Sequence, residues 1–300
     1  MTELDRIRQA ITTQWLAWKA GMTPIAKLHK AGRLAPGVFG LAPHGREPGG
    51  GWRSRNLPEF GQAGCKPLPT ARDWRDVDGA DWITPVRDQG MCGSCVAFAA
   101  CASLESRVRI RDKNANLNLT LSVADLFFCG TGTDGCEKGW QPGLALKRCR
   151  DHGVGRDADF PYRGKQAFCK GIPPIVKVKR WRKAVDAQAR KEALCVRGPV
   201  IGAMVVYSDF LYYRGGVYRP TTSDVLGLHA VAVIGYDDEA GCWAIKNSWG
   251  DGWGEGGFGW IGYGCCGIDA QFAFYDAEVE RIGTLGSKGV PVRRARRRSA

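Results

Sequence analysis

Gln89-Gly90-Met91-Cys92-Gly93-Ser94-Cys95-Val96-Ala97-Phe98 is the stretch from which the rest of this chain is read. Cys95 stands at the head of an apolar, alanine-rich run whose pattern predicts a long buried helix from Val96 to about Ile110. The first turn of a helix leaves N–H groups unpaired and carries partial positive charge, which favours thiolate over thiol at Cys95. Such a nucleophile needs a base. Leu228-His229-Ala230-Val231-Ala232-Val233 and Lys246-Asn247-Ser248-Trp249-Gly250 place a histidine and an asparagine on strand-like runs far downstream. His29 and His44 precede this body and His152 follows Arg150-Asp151 at an expected helix end, so His229 is the candidate base.

Cys92-Gly93-Ser94-Cys95 is also a C-x-x-C, which suits a redox pair or half a zinc site. A zinc site needs a second ligand pair at comparable spacing, but Cys129 and Cys136 are too far apart and Cys265-Cys266 are adjacent. A redox pair on a thioredoxin-like fold needs an early βαβ pattern and leaves His229 and Asn247 unexplained. No metal or cofactor is expected.

The net charge of +13 invites a nucleic-acid reading, and its location argues against one. Residues 1–64 hold nine Lys/Arg against four Asp/Glu, and residues 282–300 hold six Lys/Arg and no acid. The body between them carries 28 basic and 26 acidic residues, so its own excess is only +2. No run approaches the eighteen apolar residues of a membrane span. Three segments result: a leader (1–64), an enzyme-like body (65–281) and an Arg-rich tail (282–300) whose composition predicts disorder. The leader opens with Leu4, Ile7, Ile11, Trp15 and Trp18 near helical spacing and runs into a Gly/Pro-rich stretch from Pro36 to Gly51. In the body, helices are expected at Val96–Ile110, Val123–Phe127 and Pro142–His152. Strands are expected at Pro199–Val206, His229–Tyr236, Trp243–Asn247 and Gly257–Tyr263. Helices first and strands second make the fold class α+β.

Several blocks of the body follow one another in the order found in the papain-like cysteine peptidases (the papain and cathepsin group). They are Asp73-Trp74-Arg75, the Gln89–Phe98 block, Leu121-Ser122, Gly135-Cys136, Pro161-Tyr162, Tyr213-Arg214-Gly215-Gly216, His229-Ala230-Val231 and Asn247-Ser248-Trp249-Gly250. The chain resembles that family from about Leu68 to Asp276. The resemblance implies a helical left lobe and a β-barrel-like right lobe with the cleft between them, Cys95 on the helical wall and His229 on the strand wall. It implies that Asn247 orients the imidazole, that Trp249 shields their hydrogen bond, and that Gln89 donates to the oxyanion beside the N–H of Cys95. Gly139 would bind an extended substrate backbone. Trp140 would wall the pocket for the residue two before the scissile bond, unless its ring is plain core packing, and Ala230 follows the base in the family pattern. Two departures stand out. Val96 follows the nucleophile where the family usually has Trp, which bears on leaving-group binding, and Glu137-Lys138-Gly139 replaces the common Asn-Gly-Gly run.

The resemblance also pairs Cys92 with Cys136 and Cys129 with Cys169, and matches Cys266 to a half-cystine whose usual partner is missing between Arg219 and Gly227. Cys65, Cys101, Cys149, Cys195, Cys242 and Cys265 receive no partner. Bridges imply an oxidising compartment, yet Met1-Thr2-Glu3-Leu4-Asp5-Arg6 lacks the layout of a secretory signal. Export by another route, an internal start, and reduced cytosolic thiols stay open. The leader has the position of an inhibitory prosegment, and Trp15 to Thr23 with Leu28 and Arg33 is similar to the shorter leaders of bacterial members; a helix and an extended strap that blocks the site are expected, with removal near Gly64–Leu68. A permanent N-terminal subdomain is the alternative. The function expected is a cysteine endopeptidase acting on peptides in extended conformation. An exopeptidase with a partly capped cleft and a catalytically retired peptide-binding homologue are the other readings.

Overall fold

The computed structural model describes residues 1–42 and 67–283. Most of the Gly/Pro-rich stretch, Cys65, the larger part of the expected removal region and nearly all of the Arg-rich tail lie outside the described residues.

Thr2 starts α1 (Glu3–Thr13) with a capping box: its hydroxyl accepts from the Asp5 N–H, and the Asp5 carboxylate accepts from the Thr2 N–H. Ile7 and Ile11 are buried, but the helix does not reach Trp18 as the spacing of Leu4 to Trp18 suggested. Trp15 adopts φ 54° and is 93% exposed, which ends the helix. Trp18 instead lies on strand β1 (Trp18–Ala20), where its ring is buried against Tyr213 and Tyr218. Pairing to a sheet edge has overridden helical periodicity here. Helix α2 (Pro24–Lys30) follows, with Thr23 as its cap and Pro24 in its first turn. A short 3₁₀ turn at Pro36–Val38 then leads into the cleft.

After strand β2 (Ala71–Asp73) comes α3 (Cys95–Arg111), within a residue of the expected helix at each end. It is buried on nearly every side from Cys95 to Val108, as a helix between two lobes must be. α4 (Val123–Thr131), α5 (Gly135–Lys138) and α6 (Pro142–Asp151) complete the helical lobe. The bridges Cys92–Cys136 and Cys129–Cys169 staple it, as the resemblance implied.

The second half holds β3 (Val176–Ala184), α7 (Ala187–Arg197), β4 (Val200–Tyr207), β5 (Tyr213–Tyr218), β6 (Val225–Asp237), β7 (Cys242–Lys246), β8 (Phe258–Gly262) and β9 (Phe274–Arg281). The strands form an open sheet in the order β1-β5-β8-β7-β6-β4-β9-β3, with β2 pairing the far end of β6. Its edges are β1 and β3, so the strand lobe is not a closed barrel among the described residues. The fold is α+β, with α3 lying against β4 and β6 and so bringing its N-terminus to the sheet. The leader shares the sheet's core, since Ile7, Ile11, Trp18, Ile25 and Ala26 join the same apolar cluster as Phe210, Tyr213, Tyr218 and Trp253. No helix among the described residues is long and apolar enough to cross a membrane.

One buried ionic group fixes α3 lengthwise. The Asp276 carboxylate, fully buried on β9, accepts from Arg107 of α3 at 2.8 Å, from Arg182 of β3 at 2.9 Å and from two nitrogens of Arg197 at the end of α7. Arg107 also donates to the carbonyls of Pro199, Gly198 and Ala277. Burial raises the pKa of Asp276, but the arginines more than reverse this and hold it well below the usual carboxylate range.

Candidate active site

Cys95 is the first residue of α3 and Ser94 its N-cap, but the Ser94 hydroxyl does not cap the helix. It pairs with the Tyr162 hydroxyl at 2.7 Å, and that hydroxyl donates to the Gln89 carbonyl at 2.9 Å. Backbone N–H groups at the helix start are thus left for whatever lies beside Cys95. Gln89 is buried and doubly tied to the other lobe: its N–H donates to the Ser248 carbonyl at 2.9 Å and its Oε1 accepts from the Ser248 hydroxyl at 2.6 Å. This fixes the amide so that Nε2, the donor end, faces the Cys95 side, where it reaches the Cys92 carbonyl at 3.0 Å.

His229 sits on β6 opposite Met204 of β4. Its Nε2 lies 2.8 Å from Asn247 Oδ1, and that oxygen also accepts from the Ser248 N–H at 2.8 Å. Since Oδ1 is accepting, Nε2 must donate, which leaves the lone pair of the neutral ring on Nδ1. Nδ1 has no partner. Trp249 covers the ring, their centroids 4.7 Å apart. The four residues expected to carry chemistry are therefore gathered from a loop, a helix start and two strand regions.

The leader passes directly over them. Val38 O accepts from Gln89 Nε2 at 2.9 Å, taking the amide N–H that the Cys92 carbonyl leaves free. Phe39 packs edge-on against Trp249. Gly40 O accepts from the Trp140 N–H at 2.8 Å, and Ala42 N–H donates to Trp140 O at 3.0 Å. Leu41 N–H donates to Leu228 O at 3.3 Å, so the strap bridges both walls of the cleft, parallel to each. A Cβ on Gly40 would lie 1.9 Å from Gly93 O, and one on Gly139 (φ +69°) 2.1 Å from Gly40 O. Only glycine backbones pass this closely.

Burial beneath the strap decides the charge state. It pushes the Cys95 thiol up to about 11, against the pull of the N–H groups of Ala230, Gly40, Val96 and Cys95 itself. It pushes His229 down to about 4, although the Asn247 bond works the other way. Both groups are neutral around pH 7 in this arrangement.

The sequence-derived substrate candidates are placed as follows. Gly139 donates its N–H inward to Gly135 O, and it is the backbone of Trp140 that pairs with the strap. The Trp140 ring packs against Phe127 and Gly130 in the helical-lobe core. Ala230 and Trp249 flank His229, and Val96 is fully buried. Cys266 is a buried free thiol, as are Cys101, Cys149 and Cys242, while Cys265 is a half-buried one. Cys195, given no partner above, is disulfide-bonded. Sequence reasoning expected an extended strap over the site but did not find which residues form it, and it missed the roles of Ser248 and Ser94 as ties. The one available signal for the strap was Gly37-Val38-Phe39-Gly40, glycines at a three-residue spacing.

A model described as papain family cysteine protease matches residues 68–275. The chain is 35% identical over 226 residues to pro-cathepsin H of Bos taurus, covering 70% of this chain and 65% of that protein. It is likewise 35% identical to cathepsin B-like CP3 of Giardia intestinalis, covering 69% of this chain and 73% of that protein. Among solved structures it superposes on procathepsin L 3 of the Tenebrio molitor larval midgut with a TM-score of 0.71 at 24% identity, covering 92% and 87% of the two chains. It superposes on proCathepsin B S9 of Trypanosoma congolense with the same TM-score at 23% identity, covering 93% and 99%. These relatives are eukaryotic, so the expectation of a bacterial-type member finds no support.

Proposed function

The chain belongs to the papain family of cysteine proteases, and from that premise we propose that it is an endopeptidase, latent in the form described, whose chemistry is carried by Cys95, His229, Asn247 and Gln89. When the strap leaves, water reaches the pair and the desolvation that holds it neutral is relieved. His229 Nδ1 then takes the Cys95 proton, and the thiolate and imidazolium stabilise each other. The thiolate attacks the peptide carbonyl carbon. The developing oxyanion takes the place of Val38 O before Gln89 Nε2, with the Cys95 N–H as second donor. His229 returns its proton to the leaving amine, and a thioester to Cys95 remains. Water, deprotonated by the same Nδ1, attacks the thioester and frees the acid and the thiol. Asn247 keeps the ring in the tautomer these steps need, and Trp249 shelters that hydrogen bond from solvent.

The observation that carries the endopeptidase reading is that the strap occupies the cleft on both sides of Cys95, with Phe39 at Trp249 and Leu41 at Trp140 and Leu228. A cleft open on both sides accepts the middle of a chain. The exopeptidase reading draws on a different observation: Trp18 and Ile25 are built into the core of the strand lobe, so residues 1–30 are placed to stay after the strap is cut. An internally quenched peptide blocked at both ends separates the two. Cleavage supports the endopeptidase, while cleavage confined to free-ended peptides overturns it. Treating the reduced protein with an irreversible epoxide inhibitor of papain-like enzymes tests latency. Adduct on Cys95 is expected after trimming to about Leu68 and not on the intact chain, and labelling of both alike would refute an inhibitory leader.

A further inference from the structure

Two donors that serve one oxyanion must keep a fixed separation, since both have to reach the same oxygen. Here one donor hangs from Gln89 and the other is the N–H of Cys95, at opposite ends of the loop 89–95. The Cys92–Cys136 bridge fixes the middle of that loop, where neither donor lies.

The two ends meet at one hydroxyl. Tyr162 Oη donates to Gln89 O at 2.9 Å and lies 2.7 Å from Ser94 Oγ. Its single proton goes to Gln89, so Ser94 donates to Tyr162. Burial pushes the Tyr162 phenol up to about 12, so that proton stays in place at neutral pH. The ring is held independently, stacked on Phe128 at 5.9 Å and edge-on to Phe98 at 4.9 Å.

Ser94 shows the effect of this tie on the backbone. Thr2, Thr23, Ser122 and Asp186 precede their helices in extended conformation, and the side chain of each accepts an N–H of its own first turn. Ser94 stands instead at φ −95° and ψ 12°, and its hydroxyl caps nothing. That ψ turns the planar peptide shared with Cys95, and so aims the Cys95 N–H.

We propose that Tyr162 is a positioning residue of the oxyanion hole: its hydroxyl sets the separation between the Gln89 amide and the Cys95 N–H. It acts through Gln89 and Ser94. This rests on the peptidase reading set out above.

Tyr162→Phe removes the hydroxyl and keeps the ring. In the active enzyme it should lower kcat by about tenfold or more, with KM changed less than about twofold. A peptide aldehyde gives a second readout. The Cys95 thiolate adds to its carbonyl carbon, the carbonyl pair moves to oxygen, and the resulting oxyanion calls on the same two donors. Aldehyde affinity should therefore fall in step with kcat/KM. Alkylation of Cys95 by iodoacetamide displaces iodide and forms no oxyanion, so its rate should change less than about twofold. In a Gln89→Ala background one donor is already gone, and Tyr162→Phe should cost less than about threefold more. An unchanged kcat overturns the proposal. So does a fall in alkylation as large as the fall in kcat, or a full tenfold loss on top of Gln89→Ala. If Tyr162→Phe does not fold, Ser94→Ala cuts the same tie without touching the aromatic cluster and is held to the same outcomes. Turnover of the peptide by wild type reports on the protease reading separately.

Discussion

Asp276 and Cys95 are both fully buried, yet one is kept as an ion and the other as a neutral thiol. Both belong to the anchoring of α3: Arg107 binds Asp276 far along the helix, and Cys95 opens it. Asp276 accepts from three arginines, and backbone carbonyls take further donors of Arg107, so charge survives burial. Among the described residues no ion pair reaches Cys95 or His229, and around them His229 Nδ1, Asn247 Nδ2 and Trp249 Nε1 go without partners. The difference shows how one helix is made rigid at one place and held ready at another. Rigid charge sets where Cys95 stands, and desolvation under the strap sets what Cys95 is.

The largest effect expected separates the two sites by kind. In the active enzyme Cys95→Ala should remove about 10⁴–10⁶-fold of kcat and leave thermal stability nearly unchanged, which paired activity and melting measurements check. Asp276→Asn should do the reverse, since removing one member of a buried ionic group costs about 3–5 kcal/mol of stability. Its pH signature is specific. The folded pKa lies below the unfolded value of about 3.9, so the stabilisation is fully present above that pH and is lost as pH falls further. Denaturation curves of wild type should therefore weaken below about pH 4 by a component that Asp276→Asn lacks.

Gln89→Ala should cost about 10²–10³-fold in kcat with KM less affected, because its donor matters most when the oxyanion forms. The smallest effect concerns the strap. Gly40→Ala forces a methyl onto Gly93 O and should raise epoxide labelling of the intact chain by about tenfold or more, as overpacking of this kind costs on the order of 1–3 kcal/mol.

Much of the site was legible because its residues carry side-chain signatures. Cys95 before an alanine-rich run, His229 in a continuous apolar strand and Asn247-Ser248-Trp249 are visible without coordinates. So were α3, β4, β6, β7 and β8, whose burial on two faces gives unbroken apolar runs. Strand β3 was not, since Val-Lys-Val-Lys-Arg-Trp-Arg-Lys is an edge strand whose basic side chains hide the inward valines. α7 escaped because its buried face includes Arg190 and Cys195. The leader misled at Trp18, where a helical spacing continues by chance into a strand. A strap over the site was expected, but its residues were not legible for a physical reason: it is held by backbone hydrogen bonds and by the absence of side chains at Gly40 and Gly139, and neither leaves a periodic pattern.

The most direct test of the central claim is the rate at which Cys95 is alkylated by iodoacetamide at pH 7, mapped by mass spectrometry on the intact chain and on the chain trimmed of its leader. With the thiol pushed up to about 11, roughly one molecule in 10⁴ carries a thiolate at that pH. Cys95 of the intact chain should then stay unmodified until the solution approaches pH 11, while the trimmed enzyme reacts at neutral pH and loses that reactivity in His229→Ala. Equal rates at pH 7 for the intact and trimmed chains would contradict the account.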